Sequence, residues 1–152
     1  MIDHSLIVLA EYVQYAFGLL IILLWIKTKT NYRVSAFQTL FLIMFPYSIN
    51  IIIEMFIYRE LSFILHSIKQ LVDRTANSSF LSDHATAAIV IATTLWLSAF
   101  PFKYIWFLLA IGVAFSRVWV GVHYHFDVIV GIVHGILFVL FAHYVVCELL
   151  TI

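Results

Sequence analysis

Five apolar stretches, each near the length of a membrane-crossing helix, must be accommodated by any fold this chain adopts. They run Ser5–Ile26, Val34–Tyr58, Ala85–Pro101, Tyr104–Val120 and Phe126–Leu150. A hydrocarbon layer about 30 Å thick takes roughly 20 helical residues at about 1.5 Å each. Open strands cannot satisfy their backbone in lipid, so every span is expected to be helical. Of the 152 residues, 64% are apolar and 11% charged, where an ordinary soluble domain carries roughly a quarter charged residues. A soluble core of this size could not hide so much apolar surface. The expectation is an all-α, polytopic membrane helix bundle of about five spans, residues 1–152 forming a single domain. Eight Lys and Arg balance eight Asp and Glu, so the chain is too neutral for a nucleic-acid binder and too apolar for disorder.

No Lys or Arg precedes Lys27. A signal peptide opens on positive charge, so the first stretch is expected to be a retained span. The single cysteine, Cys147, excludes an internal disulfide and a cysteine-built metal site. Arg59 to Asp83 is too polar to cross and too long for a turn. It joins an amphipathic run, Leu61 to Lys69, to the polar segment Asp73 to Ser79, and is expected to lie outside the membrane between spans two and three. The first connection packs Lys27, Lys29 and Arg33 into a short loop, and Lys103 marks the third. Arg59, Lys69, Arg74 and Arg117 fall on the opposite side. The cation count is level, but density in the short loop places it in the cytoplasm by the positive-inside tendency. The second and fourth connections then face outward from the cell membrane.

Residues capable of chemistry gather in those two outward connections. Ser82, Asp83 and His84 stand at the start of the third span. Ser82 or Asp83 can cap that helix, whose N-terminal amides form an anion site. The other cluster runs from Ser116 and Arg117 to His123, Tyr124, His125, Phe126 and Asp127. His123 and Asp127 are four apart and share a face on a helical turn. A carboxylate on one imidazole nitrogen fixes the tautomer and leaves the other nitrogen able to attack. Arg117 offers a planar fork suited to phosphate oxygens. Singly, such residues are more often caps and snorkelling anchors. Jointly, on one side, they match phosphoryl transfer through histidine.

Ser116-Arg117, five residues, His123, three residues and Asp127 resemble the third signature of the type 2 phosphatidic acid phosphatase superfamily. Ser82-Asp83-His84 resembles its second, usually Pro-Ser-Gly-His. The run Ser79-Phe80-Leu81-Ser82-Asp83-His84-Ala85-Thr86 is similar to the bacitracin-resistance undecaprenyl-diphosphatases of bacteria. The resemblance implies that His123 takes the phosphoryl group and Asp127 orients it. It implies that Arg117 holds the phosphate with the Ser82 hydroxyl and the backbone amides about Asp83. His84 would protonate the leaving oxygen and then activate water. It further implies a lipid phosphate as substrate in the bilayer, undecaprenyl diphosphate above others, and no metal or other cofactor.

The first signature, a Lys, six residues and Arg-Pro, is not met. Glu54 stands at the Lys position, Leu61-Ser62 replace Arg-Pro, and Arg59, two residues early, is a candidate to reach the same phosphate, with Lys69 and Arg74, off the family spacing, as others. Leu81 replaces the Pro of the second signature, and His125 stands at a position that is commonly Pro. Two alternatives stay open: a weakened or inactive relative that binds lipid phosphates or membrane partners, and a metal site of His84, His123, His125 and Asp127. Gly131 and Gly135 continue the Asp127 face and are expected to permit close helix packing, as are Ala85, Ala88 and Ala92. His134 is expected to make an interior hydrogen bond, and Glu54 to face the bundle or snorkel.

Overall fold

The computed structural model describes residues 7, 8, 10–26, 30–56, 80–98 and 100–150. Among them every regular element is an α-helix, and there is no strand. Its helices are α1 (Val13–Ile26), α2 (Thr30–Phe56), α3 (Asp83–Leu97), α4 (Lys103–Trp119) and α5 (His125–Leu150). The expected amphipathic run Leu61 to Lys69 lies outside the described residues, as do Arg59, Lys69 and Arg74.

Gln38–Phe56 within α2 and His125–Val145 within α5 are long and apolar enough to cross a membrane. With 15 and 17 residues, α3 and α4 reach only about 22 and 25 Å. Packing explains how so short an apolar helix as α3 is accommodated. It touches each of the other four helices, and Ala85, Thr86 and the whole run from Ala88 to Leu95 are buried. Its length is therefore set by its protein neighbours and not by lipid.

The distribution of polarity is that of a bundle in an apolar solvent. Leu19, Ile22, Phe41, Met44, Ile129, Leu137 and Phe141 are exposed, whereas Thr39, Asn50, Ser82, Ser116, Arg117, His123 and Asp127 are buried. In water the cost of both halves of that arrangement would be large. In hydrocarbon the exposed apolar belt costs nothing and the polar groups find one another inside.

The first apolar stretch is divided. Residues 7, 8, 10 and 11 are helical, but a turn at Tyr12 separates them from α1. Ile7 and Ala10 pack on Val120 and Val122, whereas Phe17, Leu20 and Ile21 of α1 join Ala88, Ile89, Ile91 and Leu95 of α3. Two different partners require a break between the segments.

Small residues let α3 and α5 approach. A Cβ on Gly135 would come 2.6 Å from Ile89 Cγ2 and 3.2 Å from the Thr86 carbonyl, whereas one on Gly18 would meet nothing within 4 Å. Gly135→Val is expected to lower the thermal unfolding midpoint by overpacking, about 1–3 kcal/mol. Gly18→Ala is expected to leave the midpoint level or raise it, a gain of up to about 1 kcal/mol from helix propensity. Thermal scans of the two variants in one detergent check the contrast.

Candidate active site

Three helix ends converge because α3, α4 and α5 alternate in direction. Ala85 of α3, Ala114 of α4 and Val128 of α5 form one buried cluster. This sets the start of α3, the end of α4 and the start of α5 together. The Phe80 and Phe126 rings stack, with centroids 6.4 Å apart, and a Cβ on Gly131 would lie 3.4 Å from the Ser82 carbonyl. Ser82, Arg117, His123 and Asp127 therefore occupy one end of the bundle.

Each side chain is placed by local backbone geometry. Arg117 lies in the last turn of α4, only 1% exposed. Beyond it Gly121 takes a left-handed φ of 80°, open to glycine at no steric cost. That turn lets the His123 N–H donate back to the Arg117 carbonyl at 3.3 Å. His123 is 4% exposed and Asp127 is fully buried. The Tyr124 N–H donates to Asp127 Oδ2 at 3.3 Å, the reach-back half of a capping box that fixes the carboxylate at the start of α5. Arg117 Nη1 donates to the Ala10 carbonyl at 3.2 Å. The segment before α1 thus helps seat the guanidinium.

On α3, Ser82 is the N-cap residue, with extended backbone, but its hydroxyl makes no capping bond. The expected side-chain cap is therefore corrected. Its carbonyl accepts the ordinary first bond of the helix, from the Thr86 N–H at 2.9 Å. Ser82 Oγ is fully buried and has no hydrogen-bond partner among the described residues. The Asp83 side chain accepts from Asn50 Nδ2 at 2.8 Å, so it is directed to α2. Asp83 and His84, both half-buried, line a cavity of about 360 Å³ whose other walls include Phe17, Gly18, Ile43 and Ile91.

Several expectations are placed differently. Arg59 lies outside the described residues. His125 is exposed although His123 and Asp127 are buried. No group of three or more His, Cys, Asp or Glu among the described residues could hold a metal ion, so the alternative metal site of His84, His123, His125 and Asp127 is not assembled. His134 Nδ1 is buried and makes no hydrogen bond there, which departs from the expected interior bond. Glu54 is half-buried near the end of α2. Sequence reasoning missed Asn50 and the Ala10 carbonyl. Asn50 carried a signal, a lone amide inside the run Ile49-Asn50-Ile51-Ile52, whereas a backbone carbonyl carries none.

Similar proteins share this arrangement of helices. The chain is 29% identical over 147 residues to "Undecaprenyl-diphosphatase BcrC" of Bacillus subtilis (strain 168), covering 93% of this chain and 75% of the relative. It is 28% identical over 151 residues to "Bacitracin transport permease protein BcrC" of Bacillus licheniformis, covering 93% and 70%. Among solved structures, Aquifex aeolicus LpxE superposes with a TM-score of 0.79 at 26% identity, over 94% of this chain and 86% of that one. A transmembrane PAP2 type phosphatidylglycerolphosphate phosphatase from Bacillus subtilis superposes at 0.70 and 20% identity, over 97% and 77%, and bears on the fold alone. Residues 56–149 match the PAP2 superfamily, a span holding both the α3 and the α4–α5 clusters, and the chain belongs to that superfamily of membrane phosphatases.

Proposed function

We propose that this chain is a multi-pass membrane lipid-phosphate phosphatase that hydrolyses undecaprenyl diphosphate, and so recycles the lipid carrier of wall synthesis, through a phosphohistidine at His123. The observation that carries this reading is the burial of an imidazole, a guanidinium, a carboxylate and a hydroxyl at one end of an apolar bundle. Such groups are costly there without a role.

In the proposed reaction an imidazole nitrogen of His123 attacks the terminal phosphorus. The bond from that phosphorus to the bridging oxygen breaks, and undecaprenyl phosphate leaves as His84 donates it a proton. Asp127 stabilises the charged ring. Water, losing its proton to His84, then attacks the phosphohistidine and releases inorganic phosphate. Arg117, the Ser82 hydroxyl and the amides at the start of α3 neutralise the transferring oxygens throughout. Arg59 is proposed as a further cation for that phosphate. The site is proposed to open on the extracytoplasmic face, following the cation density of the Lys27 to Arg33 loop.

The cavity lined by α1, α2, α3 and Val113 of α4 supports a lipid substrate. Its walls are mainly apolar, and Asp83 and His84, next in the chain to Ser82, line it, so a hydrocarbon tail is proposed to lie along it with the headgroup toward His123. Gly18 lines this cavity, with open space where a side chain would project. Gly18→Leu is expected to lower the ratio of kcat/KM for long-chain over short-chain prenyl diphosphates about fivefold, the worth of ~1 kcal/mol of displaced apolar contact. An unchanged ratio removes the cavity from the substrate's path.

The decisive experiment is phosphate release by the purified protein in detergent, without added metal, from undecaprenyl diphosphate, phosphatidic acid and phosphatidylglycerol phosphate. Turnover of the diphosphate above the other two is expected. A folded protein that turns over none of them is a lipid-phosphate binder instead. That second reading is favoured by Glu54 and Leu61-Ser62 at the first-signature positions.

A further inference from the structure

Asn50 lies in α2, outside both clusters, and is 1% exposed. Its Nδ2 donates to Asp83 Oδ1 at 2.8 Å and to Thr86 Oγ1 at 3.4 Å. Thr86 Oγ1 donates in turn to the Gly131 carbonyl at 3.4 Å, one turn beyond Asp127. One amide thus ties α2 to the start of α3, and through Thr86 to the start of α5.

The charge at the start of α3 gives this tie a consequence. A carboxylate in the first turn of a helix is drawn to the same N-terminal amides that attract a phosphate. Asp83 is such a carboxylate, next to Ser82. Left to itself it would compete for those amides and repel an arriving anion. The Asn50 amide meets it from the α2 side.

We propose that Asn50 is a positioning residue for the phosphate site, holding the Asp83 carboxylate against α2 and clear of the incoming anion. The inference rests on the phosphatase reading above. It assigns Asn50 no contact with substrate, and it makes the Asp83 backbone, not its side chain, the part that serves the phosphate.

A double-mutant cycle on the full-length protein in detergent tests it. Asn50→Leu is expected to raise KM for undecaprenyl diphosphate about tenfold with kcat held within about twofold, as like-charge repulsion on binding requires. Binding of inorganic phosphate, read from the thermal shift it produces, should weaken by the same factor. Asp83→Asn added to Asn50→Leu should bring both quantities back to within about threefold of those of Asp83→Asn alone, so that the Asn50 effect vanishes once the carboxylate is gone. A packing role predicts losses that add and no recovery, and that result overturns the proposal, as does an unchanged KM. Asn50→Ala adds no bulk and gives the same comparison with the same two outcomes should the leucine protein not fold. Absence of turnover in the wild type overturns the phosphatase reading instead, and the phosphate thermal shift then decides the positioning role by itself.

Discussion

His123→Ala is expected to abolish phosphate release, a loss on the order of 10⁴-fold or more, because no neighbouring group takes over covalent capture of the phosphoryl group. Such a loss corresponds to roughly 5.5 kcal/mol of transition-state stabilisation. The fold should survive. His123 sits in the α4–α5 connection, and the link that shapes that turn is its backbone N–H to the Arg117 carbonyl, which alanine keeps. The thermal midpoint should therefore shift by no more than about 1 kcal/mol equivalent, within the ordinary range for a single substitution. A second readout separates a nucleophile from a binding group. With substrate labelled in the terminal phosphoryl group and an alkaline quench, the wild type should retain label on the chain, and His123→Ala should retain none. Turnover by His123→Ala within about tenfold of the wild type ends the phosphohistidine proposal, whatever its lipid preference.

How far the sequence foretold this arrangement depends on what kind of force sets each feature. Hydropathy acts along the chain and placed α4 and α5 within a residue of their observed starts, since Lys103 and His125 mark where apolar runs begin. It also carried the first stretch back to Ser5, through the turn at Tyr12. Apolarity does not distinguish a residue that packs on α3, such as Phe17, from one that packs on the α4–α5 connection, such as Ala10. The residues of the site were legible as types and spacings, and their convergence follows from the alternating directions of three helices joined by short connections. The inner supports were less legible. Ser82 stands where a capping hydroxyl belongs, yet its hydroxyl makes no capping bond. Asp83 reads in sequence as part of an anion site, yet its side chain turns to α2. The Asp83 outcome depends on a tertiary partner, Asn50, whose identity no local pattern contains.

Arg117 is the position where the two substitutions that keep or remove charge should part most widely. Arg117→Ala is expected to lower kcat/KM on the order of 10³-fold or more, the range found where an arginine neutralises a transferring phosphoryl group. Arg117→Lys keeps the charge but loses the planar fork that engages two oxygens at once. It should fall between, with a loss of roughly 10²-fold, ~2.7 kcal/mol. Stability should follow a different order. The guanidinium is 1% exposed and donates to the Ala10 carbonyl. Alanine removes that link but also removes a buried charge, and these effects oppose each other. Lysine keeps the charge in the same enclosure with a single point of attachment, so Arg117→Lys is expected to be the less stable variant although the more active one. Thermal midpoints and kcat/KM measured on the same preparations check both orders. Retention of more than a tenth of wild-type kcat/KM by Arg117→Ala would remove the guanidinium from the proposed transition state and leave it a structural clamp on the segment before α1.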